Sequence, residues 1–212
     1  IDMATMDFLN QCIDIVTSSF KAMIIYNEGD FFSAGANLGE ALFFGNIGLD
    51  KEVEKNILIK GQEVYSKLKY SKFPVIAAPF NLALGGGCEI ILHSNYVQAH
   101  IESYIGLTEA ALGILPAWGG CKELLARLRH FGISNGGPMG PVMKAFETIG
   151  TAQVAKSAEQ ARSLGFLGPN DRITMNRDRL LFDAKNLVLE LAEDYFPPDP
   201  NSYQLPGATG KA

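Results

Sequence analysis

Two carboxylic acids set in apolar sequence make acid–base chemistry the first question. Glu89 follows Leu84-Gly85-Gly86-Gly87-Cys88, and Glu109 lies twenty residues later in Leu107-Thr108-Glu109-Ala110-Ala111-Leu112. Carboxyls in apolar surroundings are pushed to different pKa values and can divide acid work from base work. The glycine triplet permits backbone with φ > 0 and lets another molecule approach the peptide N–H groups. Cys88-Glu89-Ile90-Ile91-Leu92 then reads as the entry to a helix, where free N–H groups can hold a developing negative oxygen. A second run of small residues, Ser33-Ala34-Gly35-Ala36-Asn37-Leu38-Gly39, allows the same close approach. Residues 80–120 therefore have the make-up of an active site.

Each feature also has a plainer reading. Glu89 fits a helix-start acid favoured by the dipole, and Glu109 fits an exposed strand-end residue. Cys88 sits where a thiol pKa can fall, so a Cys–His hydrolase using His93 or His100 is conceivable; a small buried packing residue is the plainer role. The triplet lacks the Lys-Ser/Thr of a P-loop and the spacing of a dinucleotide fold. His93, His100 and His130 have no metal-like spacing and read as surface or capping residues. Trp118, between Pro116 and Gly119-Gly120, is either core or pocket wall.

The elements that would position these groups alternate. Met6, Leu9, Ile13, Val16 and Phe20 mark one stripe of a helix of about four turns. Residues 21–26 read as a buried strand, Glu28-Gly29-Asp30 as a turn and Phe31-Phe32 as a short strand. Residues 50–70 form an amphipathic helix with Val53, Ile57, Val64 and Leu68 on one face. A strand lies over 74–79, then the triplet helix to His93, strands over 95–99 and 104–106, and a helix over 122–128. Gly132, Asn135-Gly136-Gly137-Pro138 and Gly140-Pro141 mark residues 130–150 as a mobile loop. Ser157-Ala158-Glu159-Gln160 resembles a capping box, with Gly165 as the stop. The last helix covers 179–195, with Leu180, Leu181, Ala184, Leu187, Val188 and Leu191 inward, and Pro197-Pro198-Asp199-Pro200 ends it. No internal repeat is visible. The pattern predicts an α/β sheet with crossover helices and a helical second half. One domain is expected over 1–195, with a Pro/Gly-rich tail or linker over 196–212.

Composition bounds the partners. The 212 residues are 47% hydrophobic and 19% charged, as in an ordinary globular protein. A net charge of −5 argues against nucleic acid as the main partner. No apolar run reaches membrane-span length, so no membrane partner is expected. Ile1-Asp2-Met3-Ala4 has no leader pattern, and Ile1 is no translation start, so a processed or excised piece is expected. Cys12, Cys88 and Cys121 are odd in number and scattered, which predicts a reducing, cytoplasmic location.

In order and spacing, three segments resemble the crotonase (enoyl-CoA hydratase/isomerase) superfamily. Phe32-Ser33-Ala34-Gly35-Ala36-Asn37-Leu38 is similar to its F-S-A-G-A-D-L segment. Leu84-Gly85-Gly86-Gly87-Cys88-Glu89 is similar to A-L-G-G-G-C-E. Leu107-Thr108-Glu109, Leu112-Gly113-Ile114-Leu115-Pro116 and Gly119-Gly120 are similar to P-E-x-x-L-G-L-I-P-x-x-G-G. The likeness covers about residues 1–130. It implies an α/β, crotonase-like (ClpP/crotonase) ββα-superhelix with a helical C-terminal part. It further implies that the backbone N–H groups of Ala36 and Gly86 hold an acyl-CoA thioester oxygen. Glu89 and Glu109 would hold one water and add it to a trans-2-enoyl-CoA, as in fatty-acid β-oxidation. Substrate contacts would come from Ala34, Ala36, Asn37, Leu38, Gly85, Gly86, Leu112, Pro116 and Trp118. No metal or redox cofactor is implied, with coenzyme A part of the substrate. Isomerases of the superfamily commonly keep one such acid, so two favour a hydratase.

Departures from the family pattern bear on detail. Asn37 stands for Asp, Thr108 for Pro, and Trp118 for a small residue, where a large ring shortens or caps the acyl pocket. The 130–150 segment is longer than the pattern. Ile1-Asp2 is similar to the end of an N-A-L-D segment, so the first strands are expected to be missing. Tyr104-Ile105-Gly106-Leu107, Gly119-Gly120-Cys121-Lys122-Glu123-Leu124 and the Leu205-Pro206-Gly207 tail are most similar to the hydratase-type domain of proteins fused to a 3-hydroxyacyl-CoA dehydrogenase. The resemblance thus implies a homo-oligomer or part of a larger multifunctional chain. The rival readings are an enoyl-CoA isomerase, a non-catalytic acyl-CoA-binding or assembly domain, and a Cys88 hydrolase.

Overall fold

A computed structural model describes residues 1–37, 39, 51, 53–132 and 137–200. Leu38, residues 50 and 52 of the expected second helix with the Val53 side chain, residues 133–136 and the tail 201–212 lie outside the described residues. Helix α1 (Met3–Ser19) leads to strand β1 (Met23–Ile25), and α2 (Lys60–Lys69) to β2 (Val75–Ala77) and β3 (Asn81–Leu84). Helix α3 (Gly86–His93), β4 (Tyr96–His100), β5 (Ser103–Gly106) and α4 (Gly120–Phe131) follow. The chain then forms α5 (Gly140–Gly150), β6 (Val154–Ala155), α6 (Ala158–Ser163), β7 (Arg172–Thr174) and α7 (Leu180–Leu191).

The strands make two sheets. One runs β1-β2-β4-β7 and is parallel throughout; the other runs β3-β5-β6, parallel then antiparallel. Each turn of chain gives one strand to the first sheet, one to the second, and then a helix: β2-β3-α3, then β4-β5-α4. Among the described residues, the β1 turn pairs with the second sheet through a Ser33–Ala83 bridge, and no strand forms at Phe31-Phe32. This is the ββα superhelix. Its repeat is one of geometry, because the strands need only short apolar runs buried on both faces; Val75, Ile76 and Ala77 are all fully buried.

Local chemistry sets most boundaries. Asp2 Oδ1 accepts from the Thr5 N–H at 2.8 Å and starts α1, which buries Met6, Leu9 and Ile13 against α2. Phe20 falls past the end of α1 and is exposed, so the apolar stripe stops a turn short of its expected length. A π-helical turn, Val53–Ile59, runs into α2 where one regular helix is expected. Ser157 Oγ accepts from Gln160 N–H at 3.1 Å, and Gly165, at φ +86°, follows α6. In α7, Leu181 turns outward while Leu180, Ala184, Leu187 and Val188 are buried.

The expected loop over 130–150 is corrected. Residues 130 and 131 complete α4, and residues 140–150 form α5. Gly140-Pro141 opens that helix, because proline in a first turn lacks only an N–H that would have no helical partner. Residues 195–200 carry no helix or strand. Among the described residues, no helix is long and apolar enough to cross a membrane.

Tyr65 joins two turns of the superhelix. Its ring on α2 is fully buried, and its hydroxyl donates to the Gly86 carbonyl at the start of α3, 2.9 Å away. Tyr65→Phe keeps the packing and removes this bond. Urea unfolding is expected to show a loss of about 1 kcal/mol; an unchanged midpoint would mean the bond contributes nothing net.

Candidate active site

Three backbone segments meet at one place. Ser33 N–H donates to Leu82 O at 2.9 Å and Leu84 N–H to Ser33 O at 3.0 Å, which lays residues 33–37 along β3. Gly35 sits over the start of the triplet: a methyl on its Cα would stand 3.1 Å from Leu84 O and 3.7 Å from the Gly86 nitrogen. Among the described residues, the Ala36 amide donates to no hydrogen bond. Gly86 opens α3, so its amide has no partner within the helix.

The glycines of the triplet are needed for separate reasons. Gly85 adopts φ +53°, ψ −124°, which L side chains rarely adopt. A methyl on Gly86 would lie 2.5 Å from Trp118 Cζ3, and one on Gly87 would lie 2.5 Å from Ser33 Cβ.

These segments enclose a cavity of about 100 Å³ with largely apolar walls. Glu89, Glu109, Ala36, Gly86, Asn37 and Trp118 line it. Of the other residues expected at the substrate, Ala34 is exposed, Leu112 points to solvent, Gly85 backs onto Glu109, and Pro116 packs against Gly120; none of the four lines the cavity. Leu38 lies outside the described residues. Sequence reading missed Met3, Met6, Ile57, Leu58 and Leu115 as wall residues. Met6 and Ile57 were visible only as apolar positions on helices, a signal that does not separate core from pocket wall.

The two acids differ in how they are held. Glu89 is 2% exposed, and its Oε1 accepts from Gly120 N–H at 2.8 Å and Trp118 N–H at 2.9 Å. Burial pushes its carboxyl up to about 8; the Gly120 amide opposes the rise, the Glu109 charge adds to it, and the Trp118 amide opposes it. Glu109 starts a 3₁₀ turn, Glu109–Leu112, and is partly buried, in place of the exposed strand end its sequence also allowed. Burial raises its carboxyl as well, and its Oε2 is buried with no hydrogen-bond partner among the described residues.

Behind Glu89 lies a second buried polar group. His93 Nδ1 is 2.8 Å from the Glu89 carbonyl oxygen, and Nε2 is 3.7 Å from Glu123 Oε1. Glu123 also pairs with Lys69 and Lys122. Burial lowers the His93 imidazole to about 4, against the pull of Glu123. His93 and His100 are thus interior residues and not the surface or capping histidines expected. Cys88 is fully buried, and burial pushes its thiol well up, with the Glu109 and Glu89 charges adding to the effect. A thiolate nucleophile is not supported there. Among the described residues, no three His, Cys, Asp or Glu side chains are placed to share a metal ion.

The family model described as Enoyl-CoA hydratase/isomerase matches residues 1–133. A Bacillus subtilis protein named "Probable 3-hydroxyacyl-CoA dehydrogenase" is 37% identical over the whole chain, which covers 26% of that protein. A Rickettsia prowazekii protein whose name contains "fatty acid oxidation complex trifunctional enzyme" is 32% identical over 84% of the chain, which covers 24% of it. The chain thus spans about a quarter of the length of these curated relatives. The solved enoyl-CoA hydratase of Bacillus anthracis superposes with a TM-score of 0.72 at 25% identity, over 92% of this chain and 68% of that one.

The raised Glu89 pKa has a consequence for stability. The folded state holds the proton up to about pH 8, whereas an unfolded glutamate releases it near the ordinary value of 4.5. Between these limits the folded state binds more protons, so the contribution of Glu89 to stability falls as pH rises. Glu89→Gln keeps an oxygen for the two amides and carries no charge. Denaturant titrations are expected to show its stability gaining on the wild type from pH 5 to pH 8. A difference that does not change with pH would contradict this.

Proposed function

The chain belongs to the enoyl-CoA hydratase/isomerase family, and we propose that it hydrates trans-2-enoyl-CoA thioesters. One observation carries the reading: two carboxyls, both raised by burial, line one small cavity together with Ala36 and Gly86. In the proposed reaction the Ala36 and Gly86 amides hold the thioester oxygen as it gains charge. Each such donor is worth roughly 3 kcal/mol in the transition state when preorganised. Glu89, with Oε1 already engaged by two amides, offers Oε2 to a water, and Glu109 offers its unpartnered oxygen to the same water. One acid takes a proton as the water oxygen bonds C3, and the other delivers a proton to C2, giving a 3-hydroxyacyl-CoA. The two acids titrate as a pair, so the proton taken and the proton delivered belong to the pair and not to either acid alone. No group beyond the coenzyme A of the substrate is needed.

The names of the relatives support the same direction. A 3-hydroxyacyl-CoA is what a 3-hydroxyacyl-CoA dehydrogenase oxidises, so hydration would supply the next step within a larger multifunctional chain. The isomerase reading uses the same oxyanion donors with a single acid. Two acids on one cavity therefore favour hydration.

The test is loss of the conjugated-thioester absorbance of crotonyl-CoA. Glu89→Gln and Glu109→Gln are each expected to lower kcat by about 10²–10⁴ with little change in KM. In the wild type, kcat/KM is expected to fall above about pH 8, as the pair loses its last proton. Full turnover in either variant would refute the two-acid mechanism. Double-bond shift of a 3-enoyl-CoA without hydration would establish the isomerase, and acyl-CoA binding with neither reaction a binding or assembly domain.

A further inference from the structure

We propose that the Trp118 indole sets the acyl-chain limit of the cavity and fits it to short enoyl groups, of about four to six carbons; this rests on the enoyl-CoA reading above. The ring spans the space between two helices. Its six-membered edge lies over Gly86, where a methyl would stand 2.5 Å from Cζ3. At its other end Nε1 donates to the Ile57 carbonyl at 3.0 Å. Tyr65 meets it edge-on with centroids 5.5 Å apart, and only 6% of the residue is exposed. The indole is therefore held from both ends and from one face, and cannot swing aside without breaking a partly buried hydrogen bond.

The opposite helix is cut to receive it. Gly61 lies within α2, where a methyl would overlap Nε1, Cδ1 and Cε2 of the indole. Glycine inside a helix weakens it relative to alanine. Gly61 and Trp118 are therefore a matched pair: the small residue makes room for the large one. The space left beside the ring, about 100 Å³, is smaller than the ~150 Å³ apolar cavity that takes one six-carbon ring. Along an open apolar channel, each added methylene would tighten binding about fourfold. A channel crossed by a fixed indole ends that gain after a few carbons. The Trp118 backbone N–H, which holds Glu89, is untouched by a change of side chain.

The experiment is calorimetric binding of butyryl-, hexanoyl-, octanoyl- and decanoyl-CoA, which are saturated and are not turned over. The wild type is expected to gain affinity up to hexanoyl-CoA and none beyond it. Trp118→Ala is expected to keep gaining about fourfold per methylene and to bind octanoyl-CoA at least tenfold more tightly than the wild type. Trp118→Phe, which keeps a ring in the same seat, is expected to fall between them; it also serves if the alanine variant fails to fold. A wild-type gain that continues unbroken to decanoyl-CoA would overturn the proposal. So would a phenylalanine or folded alanine variant with the wild-type profile. A short-chain profile without hydration of crotonyl-CoA would sink the hydratase reading and leave this one standing. No affinity for any acyl-CoA would overturn both.

Discussion

The Glu89 carboxyl is carried into the interior by α3, and one of its oxygens accepts two amides from the turn that precedes α4. A buried carboxyl needs such partners, because leaving either charge or lone pair unmet in the interior is costly. The turn that supplies them is itself shaped by α3: at Gly119, φ +110°, a methyl would stand 2.8 Å from the His93 ring. Glu123 N–H then donates to Gly119 O at 2.9 Å and starts α4. Helix, turn and helix are therefore fixed by one group of short contacts centred on the acid. The same contacts leave its second oxygen for chemistry.

The polar layer behind this site has a different character. Glu123 sits among His93, Lys69 and Lys122; burial works to raise its carboxyl, but these neighbours hold it below the usual range. His93 stays neutral at physiological pH. The molecule thus places two buried glutamates near one imidazole: one held toward its charged form by its neighbours, the other pushed toward its neutral form by burial. Environment alone separates the two, as their side chains are identical. Glu109 belongs with Glu89, being raised by burial and, among the described residues, short of a partner on Oε2.

Much of this was legible in the residues. The triplet, the acid behind it and the second acid announce a site, because few other roles require three consecutive glycines before an apolar helix. The capping box at Ser157 is local chemistry, readable from four residues. Other features depend on what lies far away in sequence. Phe31-Phe32 has strand composition, yet the described ladder there comes down to one bridge at Ser33, beside a single Phe32 N–H bond to Phe80 O. Gly140-Pro141 punctuates a helix start as well as a loop. His93 and His100 gave no sign of burial, because their neighbours Glu123 and Pro79 come from other turns of the chain. The need for glycine at position 61 depends on Trp118, nearly sixty residues on, and no local pattern carries it.

The parallel pairing of successive turns also bears on how the molecule folds. The two amides proposed to hold the thioester oxygen lie on segments fifty residues apart, joined by the Ser33–Ala83 bridge; Glu89 shares the turn of Gly86, and Glu109 comes from the next one. Such contacts form only after long stretches of chain have been closed, which is slow and leaves strand edges open in the meantime. Partly wound intermediates would expose apolar edges of β2 and β4, and none would hold a complete cavity. The complete cavity should therefore emerge in refolding as a late, concerted event, behind the recovery of helical signal.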